Sequence, residues 1–332
     1  GSVSPVGAGC RRETCPAPGR SLPGPAVKKC FHSSYSSHGE VLFRSPEDHR
    51  AFVNLLALQG YRHDVELLAD AEMSNHVHLT FFAEDPVGTC AALRHSYTIY
   101  FNRRHHREGR LGDKGIFVRQ LEGFCQIGTA ISYTLRNSLH HGQAATAFGY
   151  RYSSVNELFA EDRGIELAAP AIFDRREILS HLPRHAEFPD SYQMGADGVI
   201  LRHSFMEIRK AESYYGTERN FLFQMNRITD ERWIQEQKQD GLGAAPVLLQ
   251  DIEPSVDPLS FPELLRNEKG SRFNPSHLDD LALCRIIDQE LVPAAGYTSI
   301  YEVPPATRQR FCMQLRHDYR LPDVQLRRCL IL

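Results

Sequence analysis

Hydrophobic and polar positions along the chain follow two spacings, and the points where one gives way to the other mark its elements. Alternating or β-branched and aromatic runs predict strands at Val27 to Tyr35, Tyr61 to Asp70, His76 to Phe82 and Ile116 to Leu121. Helical spacing predicts three helices among them. The first begins at Ser45-Pro46-Glu47-Asp48, with Ser45 as cap and Pro46 in the first position, and runs to about Leu58. The second covers about Val87 to Arg107, with Ala91, Leu93, Tyr97, Tyr100 and Phe101 at its apolar or aromatic positions. The third runs from Gly123 to His141 and stops at Gly142, a residue suited to a left-handed cap.

Strand, helix, strand, strand, helix, strand is the split βαβ order of ferredoxin-like domains, here with one further helix against the sheet. The fold class predicted is therefore α+β, an antiparallel sheet with added helices followed by a mostly helical C-terminal region. Past Tyr152-Ser153-Ser154 the pattern breaks into shorter pieces. Helices are predicted at Arg175 to Leu182, Ser204 to Tyr215 and part of Asn220 to Lys238, which holds the one tryptophan, Trp233. Residues 239–275 are rich in Gly, Pro and Asp and read as linker or long loops. Three helices close the chain, near 277–292, 305–318 and 322–330. The expected organisation is a flexible tail over 1–25, a catalytic domain over 26–155, an accessory region over 156–275 and a helical unit over 276–332.

Composition narrows the picture modestly. Hydrophobic residues make up 42% and charged residues 24% of the 332, ordinary values for a globular protein, and no apolar run reaches the length of a membrane span. Eight cysteines without a CxxC pair or regular spacing point to neither a zinc ribbon nor a disulfide framework, which fits a reducing cytoplasm. The net charge of −3 hides a local imbalance. Residues 91–120 carry seven Lys or Arg against Glu108 and Asp113, and 303–332 carry six Arg against Asp318 and Asp323. Either segment suits phosphates, which need local rather than global positive charge.

The candidate chemistry begins in the third strand. His76, His78 and Thr80 share one face there, while Val77, Leu79 and Phe81 share the other. Two imidazoles side by side on a sheet form a metal platform with coordination positions left for substrate and water, or else two surface or hydrogen-bonded histidines that happen to fall two apart. Tyr133 and Asn137 lie one turn apart on the third helix. An amide oxygen combines with imidazoles around Mg²⁺ or Mn²⁺, placing a phenol beside a phosphate on the same ion; the plain alternative is packing and a solvent-facing amide. Arg103, Arg104, Arg107 and Arg110, with Tyr97 and Tyr100 interleaved and Arg94 one turn earlier, suit a single strand, whose backbone attracts cations and whose bases stack on rings.

The stretch Met73-Ser74-Asn75-His76-Val77-His78-Leu79 resembles the metal motif of HUH endonucleases (His-hydrophobic-His), in particular the single-tyrosine transposases associated with repetitive extragenic palindromes. Three further stretches agree in order and spacing. They are Gly39 to Phe43 followed by Asp48 and Phe52; Tyr97 to His105 with Gly109; and Tyr133 to Ser138 with Gly142, then Tyr150 to Ser154. Together they span about residues 27–155. Asn137 is followed by Ser138 and Leu139 rather than the family's Pro-Val, so the helix is expected to run on.

The resemblance implies a metal-dependent enzyme that nicks and rejoins single-stranded DNA at hairpin-forming repeats. Tyr133 would attack the scissile phosphate, leaving a 5′-phosphotyrosine and a free 3′-hydroxyl, with His76, His78 and Asn137 holding Mg²⁺ or Mn²⁺. Arg94, Tyr97, Tyr100, Arg103, Arg104, Arg107, Arg110 and Arg136 would contact DNA. The basic C-terminal helices, with Arg327 and Arg328, read as a possible helix-turn-helix. The expected setting is the bacterial cytoplasm, close to the nucleoid, as monomer or homodimer. The alternative is a domesticated DNA-binding or regulatory protein that keeps the fold without cleaving.

Overall fold

A computed structural model describes residues 27–226 and 278–332. The tail, Trp233 and the linker over 239–275 lie outside the described residues. The first domain comprises β1 (Lys29–Ser36), α1 (Pro46–Arg62), β2 (Glu66–Met73), β3 (His76–Ala83), α2 (Pro86–His105), β4 (Phe117–Leu121) and α3 (Gly123–His140). The strands form one antiparallel sheet in the order β2-β3-β1-β4, the ferredoxin-like arrangement expected from the element order.

Most boundaries follow local signals. Pro46 opens α1 and Gly142, at φ 62°, follows α3 in the left-handed region. The clearest difference is at Tyr61, expected in a strand. There α1 continues to Arg62, the chain turns through Asp64 at φ 51°, and β2 starts at Glu66. Tyr61 is exposed, so no packing face demands the strand that its side chain favours.

The two faces of the sheet are covered differently. Val77, Leu79 and Phe81 pack with Leu42, Phe43, Phe52 and Tyr97, under α1 and α2. The opposite face lies under α3, whose Ile127, Ala130, Ile131 and Leu135 join Cys30, Leu68 and Ala69. The polar face of β3 is thus roofed by a helix and largely shielded from bulk water, with His76 at its edge.

The accessory segment seals the outside of α3 through Val155, Leu158, Phe159, Tyr215 and Phe221. It contains α4 (Arg175–Ser180), α5 (Arg202–Phe205), α6 (Ile208–Ser213) and α7 (Glu218–Met225). The helix expected from Ser204 to Tyr215 is broken at Met206, where the Glu207 N–H donates to the Leu67 carbonyl (2.9 Å) and ties the segment to β2. From α5, Arg202 donates to buried Asp70 (2.8 Å) and Glu72 (2.9 Å). Burial and the Asp70 charge push the Glu72 carboxyl well above its usual range; Arg202 holds Asp70 below its own, against the upward pull of burial.

The C-terminal unit starts with α8 (Asp280–Ile286), which continues through one wide turn, Ile287–Leu291, into Val292–Ala294. Next come α9 (Pro305–Tyr319) and α10 (Asp323–Leu330). Val41 of the first domain inserts into its core. Arg44, fully buried, locks the junction by donating to both carboxylate oxygens of Asp288 (2.8 Å each) and to the Cys329 carbonyl (3.1 Å). A recognition helix reads bases with its N-terminal residues, but α10 carries Asp323 in its first turn and Arg327 and Arg328 in its last.

Candidate active site

β3 and α3 bring the four central side chains together. His76 Nε2 lies 2.8 Å from Asn137 Oδ1. The rings of His76 and His78 are 5.2 Å apart, and the Tyr133 ring stands edge-on to His78 at 5.2 Å. His78, Tyr133 and Asn137 are buried, and His76 nearly so. Pairing of β1 with β3 sets His32 opposite Thr80. From there His32 Nε2 meets His78 Nδ1 (3.2 Å) and His32 Nδ1 meets Thr80 Oγ1 (3.2 Å), which in turn meets Thr134 Oγ1 (3.0 Å). His140 stacks on the Tyr133 ring at 5.3 Å.

Proton accounting at His76 is informative. Asn75 Nδ2 donates to the Ser37 carbonyl (3.2 Å), which turns Asn75 Oδ1 toward His76 Nδ1 (3.0 Å). Burial, aided by His141 and Arg328, holds the His76 pKa well below its ordinary value, so the ring is neutral near pH 7 and carries one N–H. That hydrogen sits on Nδ1. The Nε2 lone pair then faces Asn137, whose Oδ1 also offers a lone pair, while its buried Nδ2 has no hydrogen-bond partner among the described residues. Either the Asn137 amide turns over, orphaning its oxygen instead, or a cation takes up both lone pairs. Donors held at about 2.1 Å from an octahedral ion lie about 3 Å apart, close to the observed spacing. His78 is engaged by His32 at Nδ1, so its Nε2 would be the ligand nitrogen, as when a ligating histidine is oriented through its other ring nitrogen. The residues therefore fit a small divalent ion held by His76, His78 and Asn137. Among the described residues no group of three His, Cys, Asp or Glu converges as a metal site; in the set named here the third ligand would be the Asn137 amide.

The cluster reaches the surface through His76. A cleft of about 280 Å³ is lined by His76, His38, Ser74, Asn75, His141, Gln143 and Arg328, among others. Tyr133 is not among the lining residues and is only 3% exposed.

The residues expected to contact DNA are dispersed. Tyr97 has no exposed surface and donates to the Leu42 carbonyl (2.6 Å), so it offers no ring to a base. Arg94 is buried and shapes the 111–115 loop through the carbonyls of Leu111, Asp113 and Gly115. Arg107 pairs with Glu40, and Arg104 with Glu47 and Asp48. Tyr100 is half-buried, its hydroxyl donating to the Glu47 carbonyl (3.2 Å). Arg136 is fully buried within α3. Arg103, Arg110 and Arg327 are exposed, and Arg328 lines the cleft. A continuous basic and aromatic face along α2 is therefore absent from this arrangement: two of its members serve the interior, because that side of α2 packs against α1 and the loop.

His32, Thr80, Thr134, His140 and His141 also belong to the cluster or its rim, and motif spacing did not single them out. Strand alternation was the available signal for His32. It follows Cys30 by two, and pairing β1 beside β3 puts it on the His78 face.

No family model matches the chain, and no curated protein matches it. Among solved structures it is similar to one described as the REP-associated tyrosine transposase bound to a REP hairpin, at 11% identity and a TM-score of 0.36, covering 52% of this chain and 99% of that one. A likeness that slight carries no argument about this chain.

Proposed function

We propose that the chain is a metal-dependent enzyme that nicks and joins single-stranded DNA at hairpin-forming repeats, with Tyr133 as nucleophile. What supports this is the meeting of Tyr133, His76, His78 and Asn137 at one place, from a strand and a helix more than fifty residues apart in sequence. The Tyr133 oxygen bonds to phosphorus, the bond from phosphorus to the 3′ oxygen breaks, and the strand is left as a 5′-phosphotyrosine and a 3′-hydroxyl. Rejoining reverses the step with a new 3′-hydroxyl, so no nucleotide cofactor is consumed. A phenol has a pKa of about 10 and needs help at pH 7. The phenol would give its proton to a neighbouring base, for which the imidazoles packed on the ring, His32 and His140, are candidates. His76, His78 and Asn137 would hold the divalent ion, which when bound stabilises negative charge on the phosphate.

Burial of Tyr133 is the observation that favours the other reading, a non-cleaving DNA-binding or regulatory protein of this fold. In this conformation the phenol is not open to a strand, so cleavage requires a change in what covers it. One experiment separates the two. The full chain is incubated with labelled hairpin oligonucleotides and Mn²⁺, then denatured. The enzyme reading expects a denaturation-resistant adduct that disappears with Tyr133→Phe and with chelator, while hairpin binding by Tyr133→Phe persists. Binding without any adduct from the wild type overturns it in favour of the second.

A further inference from the structure

We propose that Arg328, supplied by the C-terminal unit, grips a backbone phosphate of the DNA strand in the catalytic cleft, and that Asp280 positions it there. The inference rests on the reading of the cleft as a nuclease site. It assigns α10 a place in the active site, where helical pattern alone suggested a separate module for reading bases.

Arg328 is the one Arg or Lys among the residues lining the cleft, which include no Asp or Glu. Its guanidinium is close enough to His76 to help depress that ring's pKa. The Arg328 side chain is 19% exposed and its charge is held from behind: Nε (2.8 Å) and Nη2 (2.6 Å) donate to the same oxygen of Asp280, which is nearly buried. Ser74, two residues before His76, donates to that same carboxylate (2.6 Å). The β2–β3 turn and the C-terminal unit are thus fastened together at the mouth of the site through Asp280.

Asp280 engages Nε and Nη2, and among the described residues Nη1 is the guanidinium nitrogen it does not engage. A half-buried guanidinium with one edge fixed and the other at a polar cleft suits a phosphodiester oxygen, since the fork is pre-organised and the low-dielectric wall strengthens the contact. Arg44 adds a second fastening by tying the Cys329 carbonyl, next in sequence, to the first domain.

The test measures binding by the full chain of a hairpin oligonucleotide with a single-stranded extension. Arg328→Ala should raise Kd about tenfold and lower the slope of log affinity against log salt by about one. Arg328→Lys should recover part of the affinity, because charge returns without the fork. Neutral methylphosphonates placed one at a time at the phosphates flanking the scissile one should include a position that weakens the wild type but adds little to Arg328→Ala. This coupling is read within each protein, so it survives any loss of stability in the variant. Additive losses, or equal Kd and salt slope in wild type and Arg328→Ala, overturn the assignment while leaving the nuclease reading intact. A wild type that neither binds nor forms an adduct overturns both.

Discussion

One strand serves two interiors of opposite character. On the α1 and α2 side, Val77, Leu79 and Phe81 meet Phe43, Phe52 and Tyr97 and form an aromatic core in which the Tyr97 hydroxyl is satisfied by a backbone carbonyl. On the α3 side, a shift of one residue along the same backbone brings His76, His78 and Thr80 against Tyr133, Thr134 and Asn137. The first interior gains from burial of apolar surface. The second spends stability on buried polar groups, one of which, Asn137 Nδ2, has no partner among the described residues. A protein keeps such a cluster beneath a helix when its chemistry is needed there, which is the physical reason to look for function on that face.

The contrast breaks most visibly under truncation. Phe81→Ala should cost about 3–5 kcal/mol in urea denaturation, since a fully buried ring leaves a cavity. Thr80→Val, of nearly equal shape on the opposite interior, should cost about 1–3 kcal/mol, by stranding its hydrogen-bond partners His32 and Thr134. Equal losses would show that the two faces do not differ as described.

Acid should sharpen it further, by a smaller amount. His76 is held neutral by burial and its charged neighbours, and His49, between Phe43 and Tyr152, chiefly by burial, then by Arg202 and Arg151. Both folded pKa values are depressed, so the unfolded chain binds protons that the folded one refuses. Stability from these groups is present above pH 6.5 and is lost as pH falls through that value. Between pH 7.5 and 5.5 each should cost about 1 kcal/mol, and His49→Gln should remove its share. A urea midpoint that rises on acidification would contradict the assignment.

The elements of the first domain were legible because their signals are local. Pro46, Gly142, alternation in β3 and the spacing in α2 and α3 each act within a few residues. The meeting of β3 with Tyr133 and Asn137 was expected from motif resemblance, which local pattern alone does not supply. Tertiary consequences were out of reach of either. Tyr97 and Arg94 read as DNA-facing because helical spacing does not say which side of α2 meets α1 and the 111–115 loop. Arg202 looked unremarkable, and its role depends on two carboxylates 130 and more residues earlier. Arg328 looked like a groove-reading arginine because its position beside His76 depends on how the C-terminal unit docks.

The proposed chemistry requires a divalent ion in the polar interior between β3 and α3. Pulsed electron paramagnetic resonance of Mn²⁺ added to the full chain reports on it. A bound ion coupled to two imidazole nitrogens is expected, with one coupling lost in His76→Ala and the other in His78→Ala. A spectrum of hydrated Mn²⁺ without nitrogen coupling, unchanged in both variants, would contradict it.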